Sequence, residues 1–267
     1  MGVTRAFFKR DLSIAMSYRL NFLMQLGGIL FGVSTFYFMA QLLGTAMVPQ
    51  LEEYGGDYFS FVLIGLAFSS YMGLSLSGFA ESIREGQMMG TLEIMLLSPT
   101  RLSAILVSSS LWPYVLTTVR VLVYLLLGVL IFGFSLSQAN FLTALIVLVL
   151  AITSFSGIGI LSAAIVLIVK KGDPVAWALS NVSSLLAGVY YPVSVLPDWL
   201  EPISRILPMT YALDGMRLAM LKGASLYDIR FDILALLGFT IVLTPIAFLV
   251  FRRALKKAKI EGSLIQY

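Results

Sequence analysis

Uninterrupted apolar runs of about twenty residues recur from one end of this chain to the other. That is the length an α-helix needs to cross ~30 Å of hydrocarbon. Of 267 residues, 59% are hydrophobic and only 12% charged, about half the ~25% charged share of a soluble domain. The whole chain, residues 1–267, therefore reads as a single membrane domain. The runs are continuous, without the alternation and short spacing of barrel strands, so the expected fold is an all-α integral membrane protein.

Six spans are predicted. They run from Asn21 to Leu43, from Tyr58 to Phe79, within Leu102 to Phe134, from Phe141 to Val169, from Pro174 to about Tyr191, and from Ile233 to Phe251. With an inner N-terminus, thirteen of the eighteen cations fall on one side: Arg5, Lys9, Arg10, Arg19, Arg84, Arg101, Lys170, Lys171, Arg252, Arg253, Lys256, Lys257 and Lys259. The two short loops on the other side carry none. Positive charge follows the cytoplasmic loops, which predicts both termini in the cytoplasm of a cell (inner) membrane protein.

The inventory also excludes chemistry. With no cysteine and no histidine, the chain has no thiolate or imidazole metal site and no Ser-His nucleophile pair. No catalytic and no metal-binding residues are expected. No G-x-x-x-x-G-K-S/T phosphate cradle occurs, and there is no Gly-Lys dipeptide, so ATP is not bound in that manner here. The predicted spans hold no acid or histidine of the kind a proton-driven carrier uses. The net charge of +4 sits beside hydrophobic spans, where topology and lipid headgroups account for it; the bilayer is the expected partner and nucleic acid is not.

Between the spans the sequence has structure of its own. Residues 1–20 place Val3, Phe7, Ile14 and Tyr18 on one side of a helical wheel and Arg5, Lys9, Ser13 and Ser17 on the other, as an N-terminal helix lying along the membrane surface would. Residues 81–100 are longer than a reversal of direction needs. Gly86 and Gly90 loosen that segment, Leu92, Met95 and Leu96 share one helical face, and Pro99 stops it. Residues 192–232 hold Pro192, Pro197, Pro202 and Pro208 among apolar residues, the pattern of re-entrant helices that enter the bilayer without crossing it. Residues 252–267 form a basic tail.

Some intramembrane residues have two readings. The stretch from Leu102 to Phe134 is too long for one straight span, and Pro113 is the expected break. Arg120 within it either reaches toward headgroups or pairs with a carbonyl inside the bundle, or else lines a pathway. Ser180, Asn181, Ser183 and Ser184 make the fifth span the most polar, which suits a pathway wall or hydrogen bonding between helices equally well. Gly65, Ser69, Gly73 and Ser77, spaced by four, and the pair Gly28 and Gly32 read as close helix packing or a dimer seam.

Two motifs resemble a known family. The stretch Pro192-Val-Ser-Val-Leu-Pro-Asp-Trp-Leu200, followed by Leu207-Pro-Met-Thr-Tyr-Ala-Leu-Asp-Gly-Met-Arg217, resembles the signature of ABC-2 type exporter permeases. The stretch Glu85-Gly-Gln-Met-Met-Gly-Thr-Leu-Glu93 with Leu-Ser-Pro at 97–99 is similar to the cytoplasmic motif of the daunorubicin-resistance and nodulation-factor branch. The chain departs from that branch at Gln87-Met88-Met89, where another charge is usual.

The resemblance implies a coupling helix containing Glu85, Gly90, Thr91, Leu92, Glu93, Met95 and Leu96, docked on a separate ATPase. It implies an outer gate containing Pro192, Pro197, Pro208, Tyr211, Asp214 and Arg217. The implied function is that of a permease subunit exporting an amphiphilic drug, a lipid or a glycolipid or polysaccharide. It would work with two copies of an ABC ATPase, which bind ATP and Mg, and with a second copy of this chain or a paralogue. A secondary carrier or channel, or a non-transporting membrane scaffold, are the alternative readings. Asp214 and Arg217, three residues apart, are expected to pair on a helix.

Overall fold

A computed structural model describes residues 2–17, 19–44, 48–91, 102–169 and 173–260. Among the described residues there is no strand. Helix α1 covers Gly2–Ser17 and α2 covers Arg19–Leu43; a single turn, α3 (Val48–Leu51), and a 3-10 turn at Glu52–Tyr54 lead into α4 (Tyr58–Met88). The chain continues as α5 (Leu102–Phe132), α6 (Phe141–Val169) and α7 (Pro174–Leu186). A 3-10 turn at Val193–Val195 and the short α8 (Glu201–Arg205) precede α9 (Pro208–Leu221) and α10 (Arg230–Ile260).

Five of these helices are long and apolar enough to cross a membrane, over Leu23–Leu43, Tyr58–Met88, Ser108–Phe132, Phe141–Val169 and Arg230–Ala258. The expected fifth span differs. It is helical only over Pro174–Leu186, 13 residues or about 20 Å, less than the hydrocarbon thickness, and the chain then turns. The second differs in the other direction: its helix does not stop at Phe79 but continues to Met88, so the first residues of the segment expected as a coupling loop extend α4. An Arg84–Glu81 pair at 2.9 Å supports that extension, as an i,i+3 pair on a solvated helix surface does.

Local chemistry sets the helix starts. Asp57 caps α4 by accepting from the Ser60 amide at 2.9 Å, and Asp173 caps α7 through the Ala176 amide at 2.9 Å with Pro174 in the first turn. Both satisfy amides that a helix start leaves open. At Pro113, the expected break, the chain stays helical and α5 runs on as one 31-residue helix. Proline is tolerated in membrane helices when neighbouring groups take up the freed backbone acceptor. The excess length extends beside α1, where the Phe8 and Trp112 rings meet edge to face at 5.1 Å. In α1, Phe7 is half-buried and Arg5, Lys9 and Ser13 are exposed, whereas the side chains of Val3, Ile14 and Ser17, and Tyr18 as a whole, lie outside the described residues.

The core forms around α4 and α6. In α4 the run Phe61, Val62, Leu63 and Ile64 is buried on every side, as expected of a helix inside a bundle. A Cβ on Gly159 of α6 would lie 2.1 Å from the Ser75 carbonyl oxygen of α4; only glycine lets the two backbones cross this closely. By contrast α2 and α10 leave most of their apolar surface outside, with 11% of each span buried against 67% of α4. A Cβ on Gly28 or Gly32 would meet nothing within 4 Å, so that pair does not serve packing inside one chain.

Candidate functional site

The proline-rich segment folds into short helices because proline suits the first turn and stops what precedes it. Pro192 opens the 3-10 turn, the Pro197 carbonyl accepts from the Leu200 amide at 2.8 Å, and Pro208 starts α9. These elements close over the end of the bundle where α4 begins. Ala212, Leu213, Met216 and Ala219 of α9 are fully enclosed, and the Tyr211 hydroxyl donates back to the Arg205 carbonyl at 2.8 Å.

Arg217 fastens this cap. Its side chain is 2% exposed. Nε donates to the Phe61 carbonyl at 3.2 Å and one terminal nitrogen to the Val189 carbonyl at 3.0 Å. The guanidinium carbon lies 3.4 Å from the centre of the Phe61 ring, a cation-π contact in a desolvated place. One planar cation thus ties α9 to α4 and to the turn after α7. Gly65 makes room for it, since a Cβ there would lie 2.4 Å from the Val189 oxygen and 2.6 Å from the Arg217 guanidinium.

The expected Asp214–Arg217 pair does not form as a direct contact. Asp214 instead accepts from the Tyr54 hydroxyl at 2.5 Å, and the Tyr54 ring centre lies 6.0 Å from the Arg217 guanidinium carbon. Tyr54 stands beside both. Burial pushes the Asp214 carboxyl above its ordinary value, opposed by the Tyr54 hydrogen bond and the Arg217 charge. Burial pushes the Tyr54 phenol up, with Asp214 adding to the effect. Burial also brings the Arg217 guanidinium down to about 9, opposed by Tyr54 and Asp214, which leaves it a cation at neutral pH. Tyr54 was not among the expected site residues; nothing in its short loop marks it before the fold brings it to α9.

Below this cap is a cavity of about 110 Å³ lined by Ser69, Met72, Gly73 and Leu76 of α4, Phe155 of α6, Ser180, Ser183 and Ser184 of α7, Val189 and Tyr190 of the following turn, and Met209 of α9. Ser180 and Ser184 therefore face this cavity. Asn181 does not line it; its side chain donates to the Trp177 carbonyl at 2.7 Å on the exposed face of α7. The four-residue repeat of α4 divides between tasks: Gly65 admits Arg217, Ser69 and Gly73 face the cavity, and Ser77 is exposed. Arg120 is elsewhere, donating to Gln25 of α2 at 3.0 Å.

At the opposite end, Glu85 is an exposed residue of α4 and Gly90 leaves the helix with φ +66. The Thr91 hydroxyl faces the Gly86 carbonyl at 3.5 Å. Leu92, Glu93, Met95 and Leu96 lie outside the described residues. No group of metal ligands is found among the described residues.

Comparison with curated proteins gives no match. The sequence pattern of the ABC-2 type transporter family matches residues 57–221. That is more than half of the chain, reaching from the start of α4 to the end of α9 and so containing both the cavity and the Arg217 cap. A domain of this kind is the membrane component of an ABC transporter, without an ATPase domain of its own, and the family implies that nucleotide is bound by a partner ATPase. This multi-pass membrane chain belongs to the ABC-2 type transporter family as a permease domain.

Proposed function

We propose that this chain is the membrane subunit of an ABC exporter, with both termini in the cytoplasm. Two copies, or one copy and a paralogue, assemble with two ATPase subunits. Six segments enter the bilayer on this reading, α7 and the turn through Tyr191 together making the fifth. The observation that supports it best is the arrangement at Arg217: a segment unable to span is locked over a hydroxyl-lined cavity by a single buried cation. A gate at the outer mouth needs such a cap.

The substrate enters between α4 and α7 and leaves when the cap shifts. An uncharged cavity carrying serine hydroxyls beside Met72, Met209 and Phe155 suits an amphiphile, whether drug, lipid or glycolipid. Residues 85–97 take up the motion of the ATPase, with Leu92, Met95 and Leu96 buried in its groove at ~1.5 to 3 kcal/mol per large side chain and Glu85 and Glu93 orienting the rim. Exposed Met88 and Met89, at 66% and 74%, extend that apolar surface onto the end of α4.

The test is to change Leu92 and Leu96 together to Asp and measure ATPase association by pull-down and ATP-dependent export in inverted vesicles. Both fall while the helical fold persists. Unchanged association and export would remove the segment from the mechanism, and a purified chain that recruits no ATPase would remove the exporter reading.

A further inference from the structure

Arg120 is a cation inside an apolar helix, and its position can be bracketed from both ends. Twelve residues further along α5, Phe132 joins an aromatic cluster with Tyr37 and Phe59, ring centres 4.7 and 5.6 Å away. Its partner Gln25 is likewise twelve residues from Tyr37 on α2. At ~1.5 Å per residue, both lie about 18 Å from that cluster. In the other direction Trp112, packed on Phe8 of α1, is about 12 Å away. These two distances together match the ~30 Å of hydrocarbon. On the topology proposed above, on which this inference rests, Arg120 stands in the cytoplasmic half of the bilayer.

No described residue neutralises the charge there. Among the described residues no carboxylate comes within ion-pairing distance of Arg120; it donates to the neutral Gln25 side chain at 3.0 Å. Nor is the pair enclosed, for Gln25 is exposed and Arg120 only half-buried. A lone guanidinium facing acyl chains is costly, and an anion brought to it offsets that cost. The anion available at that depth belongs to an amphiphile. A guanidinium presents its donors in a planar fork that fits phosphate oxygens.

We propose that Arg120 and Gln25 form a binding site for the phosphate of a membrane amphiphile drawn inward from the cytoplasmic leaflet between α2 and α5. The phosphate belongs either to a resident phospholipid or to cargo on its way to the transporter. The bond is charge-assisted, so its loss weakens retention by about tenfold.

The test counts dioleoyl phosphatidylglycerol bound to the purified full-length chain by native mass spectrometry, with a phosphate-free galactolipid as control. Arg120→Gln should lose the phospholipid and keep the galactolipid. Gln25→Glu supplies an internal counter-charge, so it should also shed the phospholipid while its thermal midpoint holds or rises, which guards against a variant that fails to fold. Undiminished phosphatidylglycerol retention in folded Gln25→Glu overturns the site. ATP-driven transfer of labelled phosphatidylglycerol, measured with the ATPase in vesicles, then separates cargo from resident lipid, and either outcome upholds the site. Lipid counting needs no ATPase, so it stands or falls apart from the exporter reading.

Discussion

The Tyr54 hydroxyl donates to Asp214 at 2.5 Å, joining the turn before α4 to the buried α9. Arg217, one turn along from Asp214, spends its donors on the Phe61 and Val189 carbonyls instead. The two charges therefore act through Tyr54 and the surrounding backbone rather than on each other. Exchanging them, Asp214→Arg with Arg217→Asp, should not rescue either single change. A carboxylate at 217 would face two carbonyl oxygens with nothing to donate. Thermal unfolding of the purified chain measures this, and recovery in the double variant would reinstate a direct pair.

Arg217→Lys should fail as well. An ammonium is a compact point charge that cannot lie flat on the Phe61 ring and reach both carbonyls. Each buried acceptor left alone costs ~1 to 3 kcal/mol. The expected outcome is a lowered thermal midpoint together with faster proteolysis of residues 192–207, the segment the guanidinium holds down.

Stability should depend on Asp214 with a definite sign. Burial raises the folded-state carboxyl above its ordinary value, so between pH 3.8 and the raised value the folded chain holds a proton that the unfolded chain has lost. Stability from this group is then fully present below the unfolded value and is lost as pH rises through the folded one. Asp214→Asn, which keeps an acceptor for Tyr54, should flatten the fall in thermal midpoint as pH rises above the ordinary carboxylate range. An unchanged slope would place the pH dependence elsewhere.

Long helices were legible because each apolar run is continuous and has a basic residue at one end, as in α2, α6 and α10. The short elements from Pro192 to Pro208 were legible for another reason, since proline dictates where a helix begins. Four features were not. The extension of α4 past Phe79 is polar, and a helix leaving the bilayer loses its hydrophobic signature while keeping its backbone bonds. The 13-residue α7 shares its composition with the turn that follows, so apolarity alone could not end it at Leu186. Tyr54 has neither pattern nor spacing to announce it; its role exists only once α9 packs beside the 3-10 turn. Arg217 stood out as a charge, but its carbonyl partners belong to backbone, which side-chain spacing cannot reveal.

Two glycines of one repeat on α4 should respond in opposite ways. A Cβ on Gly65 would meet the Val189 oxygen at 2.4 Å, whereas one on Gly73 meets nothing within 4 Å, although Gly73 lines the cavity. Gly65→Ala must push the turn after α7 away or displace Arg217, a loss of about 1 to 3 kcal/mol of the kind overpacking causes. Its signature is a lowered thermal midpoint. Gly73→Leu should leave the midpoint near wild type while filling much of a 110 Å³ space, and so reduce ATP-dependent export with the fold intact. If Gly73→Leu is stable and transports normally, the cavity is packing slack and the pathway runs along another face of the bundle.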